Sequence, residues 1–71
     1  MKYVDFIDAN LNGADLSNVR LRGANLTNAI LDNAILPYTN LGEANLSGAS
    51  LKVAKLWDTR FSNTKTESIR F

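Results

Sequence analysis

The chain of 71 residues carries seven acidic and eight basic side chains, and it has neither histidine nor cysteine. These absences exclude disulfides, thiolate metal sites and Cys/His catalysis, and they leave serine and threonine without a histidine base. Carboxylates could still act as an acid/base pair, but only in a pocket that shifts the pKa of one of them. Whether such a pocket can exist depends on the fold.

Three arginines are the candidates for anion binding. Arg20 and Arg22 flank Leu21, and Arg60 follows forty residues after Arg20. Guanidinium groups bind phosphate and carboxylate through paired hydrogen bonds, so these residues could contact an anion or an acidic partner surface. An ordinary solvated face, with Glu43 close by, is the simpler explanation of the same residues.

Leucine or phenylalanine recurs at every fifth position along most of the chain, and a small or branched residue, usually alanine, lies two positions before it. The central residues are Phe6, Leu11, Leu16, Leu21, Leu26, Leu31, Leu36, Leu41, Leu46, Leu51, Leu56, Phe61 and Phe71, with Thr66 as the polar exception. In a helix, a five-residue step would scatter these side chains around the axis. In a flat strand, an odd step would send every second one to the opposite face. The chain must therefore turn a corner in every repeat and coil around its apolar side chains.

The residue two positions after each central residue marks the corner. Glycine and asparagine fill seven of these thirteen positions, and both tolerate the positive φ of a type II turn. Tyr38, Glu43 and Val53 depart from this preference, so we expect another type of turn at those three corners.

The units 9–13, 14–18, 24–28 and 44–48, which read ANLNG, ADLSN, ANLTN and ANLSG, resemble the A(D/N)LxX consensus of the pentapeptide-repeat family. The resemblance covers residues 4–71 and weakens after Leu56. It implies an all-β fold, a right-handed quadrilateral β-helix with four repeats per coil. On that basis residues 1–71 form a single solenoid domain of about three and a half coils.

In such a coil, residues twenty apart lie above one another. We therefore expect Asn25 and Asn45 to form an amide ladder, and Thr39 and Thr59 to form a hydroxyl pair. An interior of leucine and alanine leaves no concave pocket for a substrate. We accordingly expect no enzymatic activity, no cofactor, no metal and no small-molecule substrate.

One face of the coil carries apolar and aromatic residues at outward positions, where other faces are mostly polar. We predict a partner-binding surface there, formed by Ile35, Tyr38, Val53 and Trp57, because exposed Trp and Tyr are common anchors of protein interfaces. The alternative is a local hydrophobic staple, completed by Pro37, that stiffens two adjacent coils.

The ends of a solenoid expose apolar interiors and unpaired backbone groups unless something covers them. Phe61, Ile69 and Phe71 lie in the last coil, so we predict end-to-end association with another copy through these residues. The alternative is that the chain is a segment of a larger protein.

These observations favour a non-catalytic structural or protein-interaction module that presents a rigid β-helical face or end to a protein partner. The resemblance also suggests an alternative, since some family members mimic DNA and bind DNA gyrase. Mimicry needs a strongly negative surface, whereas the net charge here is +1. The even charge distribution also argues against direct nucleic-acid binding. We expect no membrane segment and, because Met1–Asp5 lacks an apolar leader, a cytoplasmic location. A shortened or idealised repeat protein without a partner is a third alternative.

Overall fold

The structure, a computed structural model, describes residues 4–71. Among these residues there is no helix, and the strands are reduced to single-residue parallel bridges, one in each pentapeptide. Each bridge joins two residues that are twenty positions apart. The bridged pairs are Asp5–Asn25, Asn10–Ile30, Asp15–Ile35, Arg20–Asn40, Asn25–Asn45, Ile30–Ser50, Ile35–Lys55, Asn40–Arg60, Asn45–Lys65 and Ser50–Arg70. The chain is therefore a coil in which four pentapeptides complete one revolution.

Backbone hydrogen bonds run from each coil to its neighbours on both sides. In the repeat around Leu26, the N–H of Leu26 donates to the carbonyl of Asn45 at 2.7 Å, and the N–H of Asn25 donates to the carbonyl of Val4 at 2.8 Å. Equivalent bonds recur in the following repeats. The coils are thus held together by a regular ladder, which satisfies backbone groups that would be costly to bury unpaired.

Every corner residue from Asp8 to Ser68 has a positive φ, between 56° and 74°. Tyr38, Glu43 and Val53 have φ values of 61°, 61° and 60°, so the expectation of a different turn at these corners was wrong. The bonds to adjacent coils impose the same bend on all side chains, although the left-handed conformation costs a non-glycine residue about 1–2 kcal/mol. The hydrogen bonds between stacked coils therefore override the conformational preference of the individual corner residue.

The hydrophobic core lies in the middle of the chain. Its leucines alternate with alanines, and the buried apolar residues are Leu21, Ala24, Leu26, Ala29, Leu31, Ala34, Leu36, Leu41, Ala44, Leu46, Ala49 and Leu51. Leu11 and Leu16 before this segment, and Leu56 after it, are only half-buried although they occupy the same position in the repeat.

Threonine replaces alanine at three inward positions, and its hydroxyl group needs a partner there. Thr39 is fully buried, and its Oγ1 donates to the carbonyl oxygen of Leu16 at 2.5 Å. Thr59 donates in the same way to the carbonyl of Leu36 at 2.7 Å. The expected Thr39–Thr59 hydroxyl pair was therefore wrong, because each hydroxyl reaches a backbone carbonyl in the preceding coil.

The amide ladder expected between Asn25 and Asn45 was also wrong. The Oδ1 of Asn25 accepts the backbone N–H of Thr27 at 3.1 Å, and the Oδ1 of Asn45 accepts that of Ser47 at 3.0 Å. In the described part of the chain, the N–H that follows a central leucine donates to no backbone carbonyl of a neighbouring coil. In six repeats an Asp or Asn side chain two residues earlier supplies the acceptor, as in an Asx turn. This hydrogen bond is the physical role of Asp or Asn at that position.

Candidate functional site

Three of the four predicted partner-binding residues are exposed. They are Tyr38, Val53 and Trp57, and we call them the aromatic patch. Tyr38 is 59% exposed, Val53 79% and Trp57 55%. Tyr38 and Val53 occupy corners, and Trp57 occupies the outward position after Leu56, so the fold directs all three away from the core. Ile35, which we also predicted to bind a partner, is only half-buried, and Pro37 is buried. The exposed surface is thus narrower than the sequence indicated.

A groove adjoins the aromatic patch at Tyr38. It is about 450 Å³ in volume and is lined by Tyr38, Asp58, Thr59 and Arg60. The backbone N–H of Tyr38 donates to the carbonyl of Trp57 at 3.4 Å, which links the two aromatic residues through adjacent coils. An apolar anchor and a charged groove therefore lie side by side on one rigid framework.

The three arginines predicted to contact an anion share one face. Arg20, Asn40 and Arg60 occupy the same position in three successive coils, joined by β-bridges. Arg22 forms an ion pair with Glu43, whose Oε2 lies 3.3 Å from Nη2 of the arginine. A second depression, of about 250 Å³, opens on this face, and Arg22 and Arg60 both line it.

The residues predicted to mediate end-to-end association differ in exposure. Phe61 and Ile69 are half-buried and pack against the core, whereas Phe71 is 73% exposed. Thr66, the polar residue in the leucine column, is exposed as well. The last coil therefore presents a mixed polar and apolar surface rather than a closed one.

Asp32 and Asp15 have lowered pKa values, and both serve the backbone. Asp32 accepts hydrogen bonds from the Ser50 hydroxyl and, at 3.1 Å, from the backbone N–H of Lys52. The Ser50 hydrogen bond is the main cause of the lowered pKa of Asp32. Hydrogen bonds from the side chain and then the backbone of Ser17 lower the pKa of Asp15. Both groups are held ionised, which suits a turn acceptor better than a general acid.

The role of Asp32 is one that the sequence analysis missed. Ser50 occupies a position where six other repeats have an Asn or Asp that accepts the N–H two residues later, so the N–H of Lys52 lacks that acceptor within its own repeat. Asp32, twenty residues before Lys52, supplies that acceptor from the preceding coil. The combination of a missing Asn and an acidic residue twenty positions earlier was the available signal.

Two further apolar side chains are exposed outside the aromatic patch. Ile7 is 47% exposed and Ile30 39%, and neither was predicted as a contact residue. Residues 4–71 contain no group of three or more His, Cys, Asp or Glu side chains placed to hold a metal ion. Within the same span, no helix has the length and hydropathy needed to cross a membrane.

Comparisons with known proteins bear on the whole chain. The sequence profile described as Pentapeptide repeats matches residues 1–37 and 38–65. No functionally curated protein matches. Among solved structures, the chain is similar to the pentapeptide repeat protein Rfr23 from the cyanobacterium Cyanothece 51142, with 38% identity, a TM-score of 0.92, and coverage of 94% of this chain and 46% of that protein.

A pentapeptide repeat protein of the Arabidopsis thaliana thylakoid lumen is similar at 31% identity with a TM-score of 0.84, over 90% of this chain and 45% of that one. HetL from the cyanobacterium Nostoc sp. strain PCC 7120, a pentapeptide repeat protein involved in heterocyst differentiation regulation, is 22% identical with a TM-score of 0.58 over 99% of this chain and 46% of its own. That last likeness concerns the fold alone. The chain spans just under half the length of each of these proteins.

Proteins of this type form right-handed quadrilateral β-helices, in agreement with the twenty-residue register of the β-bridges. The repeat, the coil and the profile match converge on one conclusion: the chain belongs to the pentapeptide-repeat family.

Proposed function

We propose that this chain is a non-catalytic protein-interaction module, in which about three and a half coils hold a rigid surface toward a protein partner. The observation that carries the proposal is the aromatic patch, where Trp57 and Tyr38 keep more than half of their surface exposed. Exposed aromatic side chains of this kind are typical anchors of protein interfaces.

The framework beneath the patch supports the proposal. Tyr38 and Trp57 belong to coils joined by backbone hydrogen bonds, and Pro37, which precedes Tyr38, is buried. A surface that is already ordered loses little conformational entropy on binding, which favours affinity. A flexible loop carrying the same side chains would bind more weakly.

A non-catalytic role is supported by the character of the carboxylates and grooves. Asp15 and Asp32 are committed to hydrogen bonds with Ser17, Ser50 and Lys52. Both grooves open on the outer faces of the coil rather than enclosing a substrate. A scaffold role without cofactor, small-molecule substrate or direct nucleic-acid contact follows as part of the proposal, and a cytoplasmic location stays a prediction.

The test compares Trp57→Ala and Tyr38→Ala with Ile30→Ala, which removes an exposed apolar side chain outside the patch. Partners captured by the wild-type chain are identified by quantitative mass spectrometry, and the melting temperature of each variant is measured. We expect the two patch variants to lose a partner that Ile30→Ala retains, with melting temperatures close to the wild type. A large loss of melting temperature with capture intact would instead identify the patch as a hydrophobic staple.

End-to-end association is a separate part of the proposal. It is supported by the half-buried Phe61 and Ile69 and the exposed Phe71 in the last coil. Sedimentation velocity at micromolar concentration is expected to show a dimer or larger species, reduced by Phe71→Ser. A stable monomer under these conditions rules out self-association of this chain while leaving the aromatic patch as a separate question.

The alternative of DNA mimicry finds no support in the charge of the chain. A net charge of +1 contrasts with the regular negative charge of duplex DNA. A supercoiling assay with DNA gyrase checks this directly, and we expect neither inhibition nor protection.

A further inference from the structure

Gly42, which has no side chain, is one of the residues that line the depression on the arginine face. In the column of outward residues, Gly42 lies between Arg22 in the preceding coil and Ser62 in the following one. A Cβ atom added at Gly42 would lie 3.1 Å from Oδ1 of Asn40, 3.6 Å from the carbonyl oxygen of Ser62 and 4.0 Å from Cγ of Arg22. Even one methyl group would therefore occupy the gap between the coils.

The backbone does not require glycine at this position. Gly42 is not among the residues with positive φ, and its N–H donates to Oδ1 of Asn40 at 2.9 Å. Thr27 makes the same hydrogen bond to Asn25 at 3.1 Å while carrying a full side chain. The turn therefore accommodates a side chain in another repeat, whereas glycine at position 42 leaves the space between Asn40, Ser62 and Arg22 open.

Hydrogen-bond donors surround the gap. Arg22 and Arg60 line it together with Asn40 and Asn63. Because Oδ1 of Asn40 already accepts the N–H of Gly42, the amide group of Asn40 offers its NH₂ to a ligand. Within residues 4–71, no carboxylate lies within ion-pair distance of Arg60.

Glu43 is the one carboxylate among the described residues that line the depression. Its two oxygens lie 3.3 and 3.4 Å from Nη2 and Nε of Arg22, which is longer than the usual distance for a charge-assisted hydrogen bond. The ion pair is exposed, so it contributes little to stability. A bound anion would therefore compete with Glu43 for the guanidinium group of Arg22.

We propose that the gap at Gly42 is a binding site for a phosphate group. Arg60 would bind it directly, Arg22 would turn to it from Glu43, and the amide groups of Asn40 and Asn63 would donate to the remaining oxygens. Two guanidinium groups and two amides supply more donors than the two oxygens of a carboxylate can accept. Phosphate, with more acceptor oxygens, is the better match.

The test is a titration of ¹⁵N-labelled protein with inorganic phosphate at constant ionic strength, with chloride and acetate as parallel arms. Saturable shifts are expected for the backbone amides of Gly42, Glu43 and Asn63 with phosphate. Shifts of the same size with chloride, or equal affinity for acetate, would overturn the assignment to phosphate. No saturable change up to about 50 mM phosphate would overturn the site itself.

Four variants sharpen the test. Arg60→Gln is expected to weaken phosphate binding roughly fivefold or more, whereas Arg70→Gln, a matched arginine in the same position of another repeat, leaves it unchanged. Gly42→Thr, which introduces the residue that the equivalent position 27 already accommodates, is expected to abolish binding by filling the gap. Glu43→Gln is expected to strengthen binding, because it removes the carboxylate that competes with phosphate for Arg22.

Arg60→Gln and Gly42→Thr each have an outcome that counts against the site, as does an equal loss of affinity in the control Arg70→Gln. Unchanged affinity in Arg60→Gln, or in a Gly42→Thr protein whose amide spectrum shows an intact fold, would overturn it. If Gly42→Thr does not fold, the site is tested by the other two variants. Phosphate affinity should fall in Arg60→Gln and rise in Glu43→Gln. Weaker binding in Glu43→Gln would mean that Glu43 does not compete for Arg22.

Discussion

The central and final coils have the same repeat but different environments. Leu36, Leu41 and Leu46 are fully buried, whereas Leu56 and Phe61, in the same column, are half-buried. The difference arises because the central residues have a coil on each side and the final ones have a coil on one side only. In this fold, burial of a side chain is a property of the stack, not of its own repeat.

The backbone, by contrast, is the same in both regions. The corner at Asn33 has a φ of 61° and the corner above it, at Val53, has a φ of 60°. Coils with one neighbour thus bend as sharply as coils with two. Burial therefore depends on position in the stack, whereas the geometry of the corner does not.

The largest effect is expected from removing a leucine side chain in the two regions. Leu41→Ala should lower the free energy of unfolding by about 2–5 kcal/mol, because it leaves a cavity in a fully packed column. Leu11→Ala, in the half-buried first coil, should cost roughly half as much, since solvent already reaches that side chain. Urea denaturation followed by circular dichroism measures both. Equal losses would mean that the first coil is covered in solution, for example by another copy.

A smaller effect is expected from exchanging corner residues. Val53→Asn should stabilise the protein by about 0.5–1 kcal/mol, because asparagine tolerates a positive φ and Val53 contributes little buried surface. Asn33→Val should destabilise it by a similar amount. Urea denaturation followed by circular dichroism measures the change in stability for both substitutions. If both substitutions act in the same direction, the cost of turning depends on position in the stack after all.

The smallest effect is expected from the pH dependence of the contact between coils at Asp32. The lowered pKa of Asp32 means that this carboxylate contributes stability above its ordinary pKa of 3.8, and that the contribution is lost as the pH falls through the lower value in the folded protein. Asp32→Asn should therefore show a smaller loss of stability than the wild type between about pH 5 and pH 3.

Asp15→Asn provides the comparison for that experiment. The hydrogen bonds of Asp15 stay within its own repeat, whereas those of Asp32 reach the next coil. Both substitutions should reduce the loss of unfolding free energy as the pH falls, because the pKa values of both aspartates are lowered in the folded protein. An acid limb identical to that of the wild type in both variants would contradict the assigned hydrogen bonds.

Much of the fold could be predicted because period five constrains the backbone so tightly. The leucine column and the corners followed directly from the spacing of residues such as Leu26 and Leu46, both fully buried. The turn type at Tyr38, Glu43 and Val53 could not be predicted from residue preference, because hydrogen bonds to adjacent coils override that preference. The hydrogen-bond partners of Thr39 and Asp32 were harder still to predict, because they lie in a neighbouring coil.

The candidate surfaces were predictable in part. The outward position of Trp57, Tyr38 and Val53 followed from the repeat, but the half-burial of Ile35 depended on its neighbours in the stack. The gap at Gly42 was not predicted. A glycine after a central leucine carries no signal by itself, and it gains meaning only once the register places arginines around it.

The sequence by itself determined that this chain coils, where it turns and which side chains face inward, because a five-residue period is compatible with one kind of backbone. Only the tertiary structure decided how deeply each inward residue is buried, which hydrogen bonds satisfy Thr39 and Asp32, and which outward residues meet. Those properties arise between residues eighteen or more positions apart, where the stacking of coils brings together groups that no local pattern relates.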